Sequence, residues 1–156
     1  MLSTVAAKWK ELLAGKGKKK GSKQPARSRA VPPHKRIPNT PFIVDGFAYT
    51  SAAVAAGCTH FFLSHFHSDH YGGLSANWSG GTLYCSEATA RLVEHQFGLR
   101  PPTVCPLPVN RRILIPGTGC AVTLLDANHC PGAVMFVFET APIRPPLPPP
   151  PFGFEG

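Results

Sequence analysis

Short apolar runs separated by turn residues mark out the part of the chain that folds. The last two runs contain almost no polar residue, which is typical of strands buried on at least one face. Proline and glycine between the runs supply the turns. The pattern predicts seven strands, at residues 42–44, 59–64, 82–85, 103–107, 112–115, 121–125 and 134–138.

Helical spacing appears between these strands. Ser86 precedes Glu87 and is expected to cap a helix that runs to about Phe97, where Gly98 ends it. A shorter helix is expected from Asp69 to Trp78. Strands that alternate with helices indicate an α/β domain. The apolar face of the longer helix is predicted to consist of Leu92, Val93 and Phe97.

The first residues of the chain carry a different pattern. Apolar residues recur at helical spacing and stop at Gly15, which predicts a short amphipathic helix. Residues 1–36 contain eleven lysines and arginines and one acid, Glu11, which gives a formal charge of +10. Residues 37–156 carry −2, so the whole chain has a net charge of +8. The basic character therefore belongs to an arm and not to the fold. The apolar positions of the helix are Leu2, Val5, Ala6, Trp9, Leu12 and Leu13.

Three interpretations of the arm stay open: an organellar transit peptide, a nuclear-import or nucleic-acid-binding arm, and a solvated disordered tail. Lysine outnumbers arginine and serine is sparse, which disfavours transit. A disordered basic tail can still bind a polyanion through counterion release. The lysines expected to contact nucleic acid are Lys16, Lys18, Lys19, Lys20 and Lys23.

The cysteines and the hydropathy of the chain argue against two classes of protein, disulfide-rich secreted proteins and membrane-spanning proteins. Five cysteines are an odd number without CxxC spacing, which favours buried thiols in a reducing compartment over a disulfide framework. No apolar run approaches the roughly 20 residues that a membrane span needs. We therefore expect a protein without a membrane partner.

The run His65-Phe66-His67-Ser68-Asp69-His70 concentrates possible metal ligands within six residues. Zinc binds imidazole nitrogen and carboxylate oxygen. A spacing of two residues indicates an extended chain, on which His65 and His67 point to the same side and converge on one ion. Asp69 and His70 would then serve a second ion or the open side of the first.

Two further loops carry candidate site residues. Asp45 ends the strand at 42–44 and is predicted to orient a metal-binding imidazole through its other ring nitrogen, with a turn-forming role as the alternative. His129 lies in the tight turn before Pro131 and Gly132, and we expect it to supply a third nitrogen to the ion bound by His65 and His67. Ser86 has an alternative role as a phosphate contact at the start of its helix.

Five segments of the sequence together resemble a known protein family. The segments that carry the likeness, in order and spacing, are Lys35 to Pro38 with Thr40, Val44 to Phe47, His65 to Tyr71, Tyr84 to Glu87, and Leu124 to Ala133. They are similar to the DNA cross-link repair nucleases of the metallo-β-lactamase superfamily, the relatives of Artemis and Apollo that carry a β-CASP domain. The Asp-Ala-Asn-His-Cys-Pro-Gly run narrows the likeness to the DNA-processing branch. The resemblance covers about residues 35–140.

The resemblance implies a zinc-dependent 5′-to-3′ DNA exonuclease that acts in interstrand cross-link repair and DNA end processing in the nucleus, with an organelle as the alternative location. It implies one or two zinc ions, the first held by His65, His67 and His129 and a second by Asp69 and His70. Asp45 would be the supporting acid, and Asp69 would hold or accept a proton of the attacking water.

The chain also departs from the family. The family continues after the strand at 134–138 with a further strand that ends in an acid within a His-Thr-Gly-Asp run, whereas this sequence enters a Pro-rich segment. We therefore expect a basic, largely disordered arm at 1–34, a partial domain at 35–140 and a Pro-rich tail at 141–156. The partial domain would be the truncated N-terminal half of an αββα sandwich with disordered ends, a mixed sheet and the helix at 86–97 on its outer face.

Two alternative functions follow from these departures. A non-catalytic zinc- or DNA-binding short form would keep the ligands and the arm without the activity. A small-molecule hydrolase of the same fold is the other, although the loop at 126–132 disfavours it. A half-sandwich also leaves an apolar face uncovered, so a protein partner is expected to bind there.

Overall fold

A computed structural model describes residues 29–140. The predicted amphipathic helix, the arm lysines and the Pro-rich tail lie outside the described residues. Within them, the predicted α/β class is confirmed, because strands and helices alternate through the first half of the fold.

Four strands form a parallel sheet in the order β1-β2-β3-β4. The register places Ile43 beside Phe61 and Phe61 beside Leu83, so apolar side chains from neighbouring strands share a face. Parallel strands of this kind are buried on both sides, which explains why they read as short apolar runs. The strands are β1 (Phe42–Val44), β2 (His60–Phe62), β3 (Thr82–Ser86) and β4 (Val104–Leu107).

Three helices connect the parallel strands: α1 (Thr50–Ala55), α2 (Ser68–Tyr71) and α3 (Glu87–Phe97). The predicted caps of α3 are confirmed, because the Ser86 side chain accepts a hydrogen bond from the Thr89 N–H and Gly98 is left-handed at φ 71°. The expected apolar face is wrong in one position. Val93 is fully buried and Phe97 is half-buried, but Leu92 faces solvent.

The helix expected from Asp69 to Trp78 is also wrong in its extent. It is reduced to the single turn α2, which ends before Gly72. Gly73 follows at φ 106°, and a side chain there would meet the backbone of Phe47. The two glycines let the chain turn sharply and press against the segment after β1.

Three further strands form an antiparallel sheet in the order β5-β6-β7. They are β5 (Arg112–Leu114), β6 (Ala121–Asp126) and β7 (Val134–Glu139). The predicted single mixed sheet is therefore wrong among the described residues. Short apolar runs indicate strands without fixing their direction, whereas the short connections between β5, β6 and β7 suit antiparallel pairing and the helical crossovers suit parallel pairing.

The two sheets and the helices form three layers with two apolar cores. One core lies between the helices and the parallel sheet and includes Phe61, Trp78 and Val93. The other lies between the sheets, where Phe62 contacts the rings of Phe136 and Phe138 at centroid distances of 5.4 and 4.9 Å. This arrangement brings the end of β2 close to the start of β7.

All five cysteines are free, and Cys58, Cys85 and Cys120 are buried. Burial raises the pKa of the Cys85 thiol to about 12, with a smaller contribution from Cys105. The expectation of buried, unpaired thiols is confirmed for these three. Among residues 29–140, none of the helices has the length and apolar character needed to cross a lipid bilayer.

Candidate metal centre

Two loops deliver the predicted histidines to one place. The first histidine loop, residues 63–67, connects β2 to α2, and the second histidine loop, residues 127–133, connects β6 to β7. A main-chain hydrogen bond of 2.9 Å from the Val134 N–H to the Ser64 carbonyl ties the two loops together.

The three imidazoles share a common focus. The centroid of the His129 ring lies 4.9 Å from that of His65 and 5.0 Å from that of His67, and the latter two are 4.6 Å apart. One nitrogen of each ring lies within 4.8 Å of the other two. The structure thus brings together the three histidines that the sequence predicted to meet, and their role as metal ligands stays a prediction. His65 and His67 lie beyond the end of β2, whose predicted extent to Ser64 is too long.

Asp45 holds the first histidine loop through hydrogen bonds to Ser64. Its Oδ1 accepts a hydrogen bond from the Ser64 N–H at 2.8 Å, and its Oδ2 accepts one from the Ser64 hydroxyl at 2.7 Å. Asp45 itself has φ 49°, a strained conformation for a residue with a side chain, and Lys35 Nζ donates to its carbonyl at 2.7 Å. Its side chain is 11% exposed, so these bonds replace lost water.

The same carboxylate orients His70. Asp45 Oδ2 lies 2.8 Å from His70 Nδ1, so Nδ1 carries a proton towards Asp45, and in the neutral ring Nε2 then has the lone pair that a metal could use. Asp69 Oδ2 lies 3.5 Å from that Nε2, and the Asp69 side chain is 79% exposed. The His70 ring is 3.9 Å from that of His65 by centroids. Two candidate ligands, Asp69 and His70, therefore stand directly beside the three converging histidines.

The second histidine loop is held by its backbone. The Gly132 carbonyl accepts hydrogen bonds from the Ser86 hydroxyl at 2.6 Å and the Thr89 hydroxyl at 3.1 Å, at the start of α3. Gly132 has φ 79°, and a Cβ atom there would lie 2.9 Å from Ala88 Cβ, Ser86 Oγ and the Thr89 nitrogen. Only glycine allows this close approach.

The contacts of Ser86 bear on its alternative role as a phosphate ligand. Its side chain is buried, and its hydroxyl is engaged with Gly132 and with Thr89. A phosphate could bind this hydroxyl only by displacing those bonds. The phosphate role stays a prediction, whereas the capping role is seen directly.

The donor set suits zinc. Two nitrogens bound at about 2.0–2.1 Å to one tetrahedral zinc lie about 3.3–3.4 Å apart. His129 Nε2 lies 3.3 Å from His67 Nδ1. The Ser64 hydroxyl lies 2.9 Å from His65 Nδ1 and leaves Nε2 of that ring for a metal. Burial, and then the neighbouring histidines, lower the pKa of His65 despite Asp45, which favours the neutral form that binds metal.

A groove leads away from the second histidine loop. A cavity of about 330 Å³ lined by His129, Asp126 and Val109 adjoins one of about 430 Å³ lined by Glu87 and Arg91 at the start of α3. Both cavities are lined by Val109, Asp126 and Gly132, so they lie next to each other on the surface. An extended ligand could therefore reach His129 from the direction of α3.

Sequence reasoning missed three residues that hold the site. Ser64 connects Asp45 to His65, Thr89 helps to hold Gly132, and Lys35 fixes the Asp45 carbonyl. Ser64 directly precedes the histidine motif, which was a usable signal. Thr89 gave a weaker one, as the third residue of a helix capped by Ser86.

Comparison with known proteins gives the family. No family model matches the chain. DNA ligase 6 of Arabidopsis thaliana is 52% identical over 112 residues, which cover 70% of this chain and 8% of that protein. The DNA cross-link repair protein SNM1 of the same plant is 41% identical over 125 residues, or 80% of this chain and 25% of the relative. The 5′ exonuclease Apollo of Gallus gallus is 50% identical over 105 residues, or 67% and 22%.

The chain thus spans a quarter or less of the length of these curated relatives. Three relatives named for DNA cross-link repair are nonetheless 41–49% identical to this chain over 111–125 of its residues. Over its matched residues, the chain belongs to the family of DNA cross-link repair proteins that includes SNM1 and Apollo.

Proposed function

We propose that this chain carries the metal-binding part of a zinc-dependent 5′-to-3′ DNA exonuclease of the metallo-β-lactamase fold, used in interstrand cross-link repair and DNA end processing. The observation that carries the proposal is the convergence of His65, His67 and His129 from two loops, beside His70 and Asp69. The relatives named for cross-link repair and for 5′ exonuclease activity support the choice of reaction and substrate.

His65, His67 and His129 would hold a first zinc, and Asp69 and His70 a second. Bound zinc supplies Lewis acidity, which lowers the pKa of water and neutralises charge on a phosphodiester. Asp45 fixes His70 through Nδ1 and fixes His65 through Ser64, so both rings keep one orientation without reorganising. A ring that is already aimed binds metal with less entropic cost.

Asp69 is the residue we assign to proton transfer. Its side chain is 79% exposed, whereas that of Asp45 is 11% exposed and is bonded to Ser64 and His70. An accessible carboxylate can hold a water molecule by accepting its proton. The groove past Asp126 and Arg91 offers a path for the strand that ends at the site.

The N-terminal arm would add affinity for DNA. Its lysines, with a charge of +10 over residues 1–36, suit sequence-independent binding to phosphates. A nuclear location follows from this role, and from the repair function in the relatives' names. The arm would raise the local concentration of DNA near an otherwise slightly acidic fold.

The test pairs zinc binding with nuclease activity. We expect His67→Ala to weaken zinc binding by more than about 100-fold, which exceeds the usual loss for a residue that only supports a ligand. Zinc affinity is measured by competition with a chromophoric chelator. Release of mononucleotides from 5′-phosphorylated DNA is measured at fixed salt, with and without a chelator.

His95→Ala is the matched control, because His95 is an exposed histidine on α3. It should leave zinc binding unchanged. Zinc binding without release of nucleotides would favour the non-catalytic zinc- or DNA-binding form. Zinc binding that is the same in His67→Ala and the parent chain would contradict the metal site itself.

A further inference from the structure

An aromatic cluster joins the last turn of α3 to the segment that carries the first candidate ligands. Its members are Phe66, Tyr71 and Phe97, and the three ring pairs have centroid distances of 4.5, 5.6 and 6.2 Å. All three side chains are half-buried and pack against the core between the helices and the parallel sheet. Aromatic rings at these distances attract each other beyond the effect of burial alone. The cluster is therefore a specific contact between α3 and the ligand segment.

The positions of Phe66 and Tyr71 in the chain link the cluster to the candidate ligands. Phe66 lies between His65 and His67. Tyr71 directly follows His70. The N–H groups of His70 and Tyr71 both donate to the carbonyl of His67, at 3.0 and 3.1 Å, and close the single turn of α2. A displacement of either aromatic ring would therefore displace the main chain of the histidines next to it.

The side chain of His67 has little other support. The hydrogen bonds of Asp45 do not reach it. Among residues 29–140, the one hydrogen-bond contact of the His67 side chain is the approach of His129 Nε2 to its Nδ1, at 3.3 Å. The position of this imidazole thus depends on its main chain, which Phe66 precedes and the α2 turn follows.

The same helix also holds the second histidine loop. At the start of α3, the hydroxyls of Ser86 and Thr89 donate to the Gly132 carbonyl at 2.6 and 3.1 Å. At its end, Phe97 contacts the other two rings of the aromatic cluster. The 11 residues of α3 form a rod about 16 Å long. One helix therefore touches the segments that carry the candidate ligands at both of its ends.

We propose that Phe97 is a positioning residue for the metal centre. By packing against Phe66 and Tyr71, its ring keeps His67 where a nitrogen of that residue meets those of His65 and His129. The inference rests on the proposed zinc site. Loss of the Phe97 ring would leave every ligand in the chain but would let the α2 turn shift, so zinc would bind more weakly.

Zinc affinity and stability, measured separately on the full chain, test this role. Zinc binding is followed by competition with a chromophoric chelator, and unfolding of the metal-free chain by urea. Phe97→Ala should raise the dissociation constant for zinc about tenfold or more, the usual loss for residues that support a ligand. Phe97→Tyr keeps the ring at a half-buried position and should bind zinc like the parent chain. Equal weakening in both variants would overturn the proposal.

Leu99→Ala is the matched control. Leu99 is buried in the same core two residues after Phe97, but it lines a cavity with Pro101 and Val104 beside β4. This variant should lose stability and keep the zinc affinity of the parent chain. Equal weakening of zinc binding in Leu99→Ala and Phe97→Ala would assign the effect to general loss of packing and would overturn the role of Phe97.

A milder pair of variants tests the contact itself. Phe97→Leu and Tyr71→Leu keep most of the apolar volume, so both chains should fold. Each should weaken zinc binding, and the double variant should bind zinc about as well as the weaker single variant, because both changes remove the same contact. Losses that multiply would mean that the two rings act separately and would contradict the proposal.

The outcomes separate this inference from the proposed function. A parent chain that binds no zinc would overturn the metal site and, with it, the role of Phe97. Zinc binding that is lost in His67→Ala but unchanged in Phe97→Ala would leave the metal site standing and would overturn the positioning role alone.

Discussion

The two histidine loops reach the same focus by different means. The first loop supplies two imidazoles and is held by side chains, since Asp45 accepts both hydrogen bonds of Ser64 and one from His70. The second loop supplies a single imidazole and is held by its backbone, through the Gly132 carbonyl at the start of α3. In the first loop the ligands are already close in sequence, and the side-chain hydrogen bonds orient their rings. In the second loop the backbone hydrogen bonds bring a single distant histidine to the site.

Removing the acid that bonds to each loop, Asp45 for the first and Asp126 for the second, should give the largest difference between the loops. Asp45→Ala leaves the Ser64 N–H and hydroxyl and His70 Nδ1 without their acceptor, so we expect the free energy of unfolding to fall by about 3 kcal/mol. Asp126→Ala removes one exposed bond, from the Asn128 N–H, and should cost less than about 1 kcal/mol. Urea denaturation of both variants measures the difference. Equal losses would mean that the first loop does not depend on Asp45.

Filling the glycine of the second loop is the next largest change. Gly132→Ala adds a Cβ atom that collides with the start of α3 and strains a left-handed residue, so we expect a loss of about 2–3 kcal/mol and weaker zinc binding. Gly117→Ala is the control, because Gly117 has φ 73° but no neighbouring atom within 4 Å. Strain alone should cost it about 1 kcal/mol. Similar losses in both variants would argue against a role for the close contact.

The smallest expected effect is on how the free energy of unfolding depends on pH. Burial lowers the pKa of His60, at the opposite end of β2 from the first loop, and the pKa of His65 is lowered as well. The unfolded chain therefore binds more protons than the folded chain as the pH falls through 6.5, the ordinary pKa of histidine, and the free energy of unfolding decreases in that direction. We expect His60→Gln to reduce this slope and the exposed His95→Gln to leave it unchanged. Chemical denaturation across this pH range measures both, and an unaltered slope in His60→Gln would assign the whole effect elsewhere.

The sequence allowed the strands and α3 to be predicted, because apolar runs and cap residues are local signals. Ser86 and Gly98 mark α3 to within a residue. The split into two sheets was not predictable in this way, since strand direction depends on how distant segments pack. Leu92 shows the same limit, because it has the spacing of a core residue but faces solvent.

The candidate metal ligands could be predicted from the sequence, whereas most of the residues that hold them in place could not. His65, His67 and His129 stand out by chemistry and by position after strands. Ser64 and Thr89 have local signals, beside the histidine motif and in the capped first turn of α3, but these signals do not show that their hydroxyls bond to the distant residues Asp45 and Gly132. The left-handed backbone of Asp45 could not be predicted from its sequence either, because contacts with Lys35 and Ser64, which lie 10 and 19 residues away, hold it in place.

The hydrogen bond from Val134 to Ser64 has a consequence for how this site tolerates mutation. Both atoms belong to the main chain, so nearly any amino acid at either position can make the bond. Most substitutions at residues 64 and 134 should therefore leave the distance between the two loops unchanged. Proline at position 134 is the main exception, because it removes the N–H donor. Evolution can thus change the surroundings of the histidines while their meeting point is inherited with the fold.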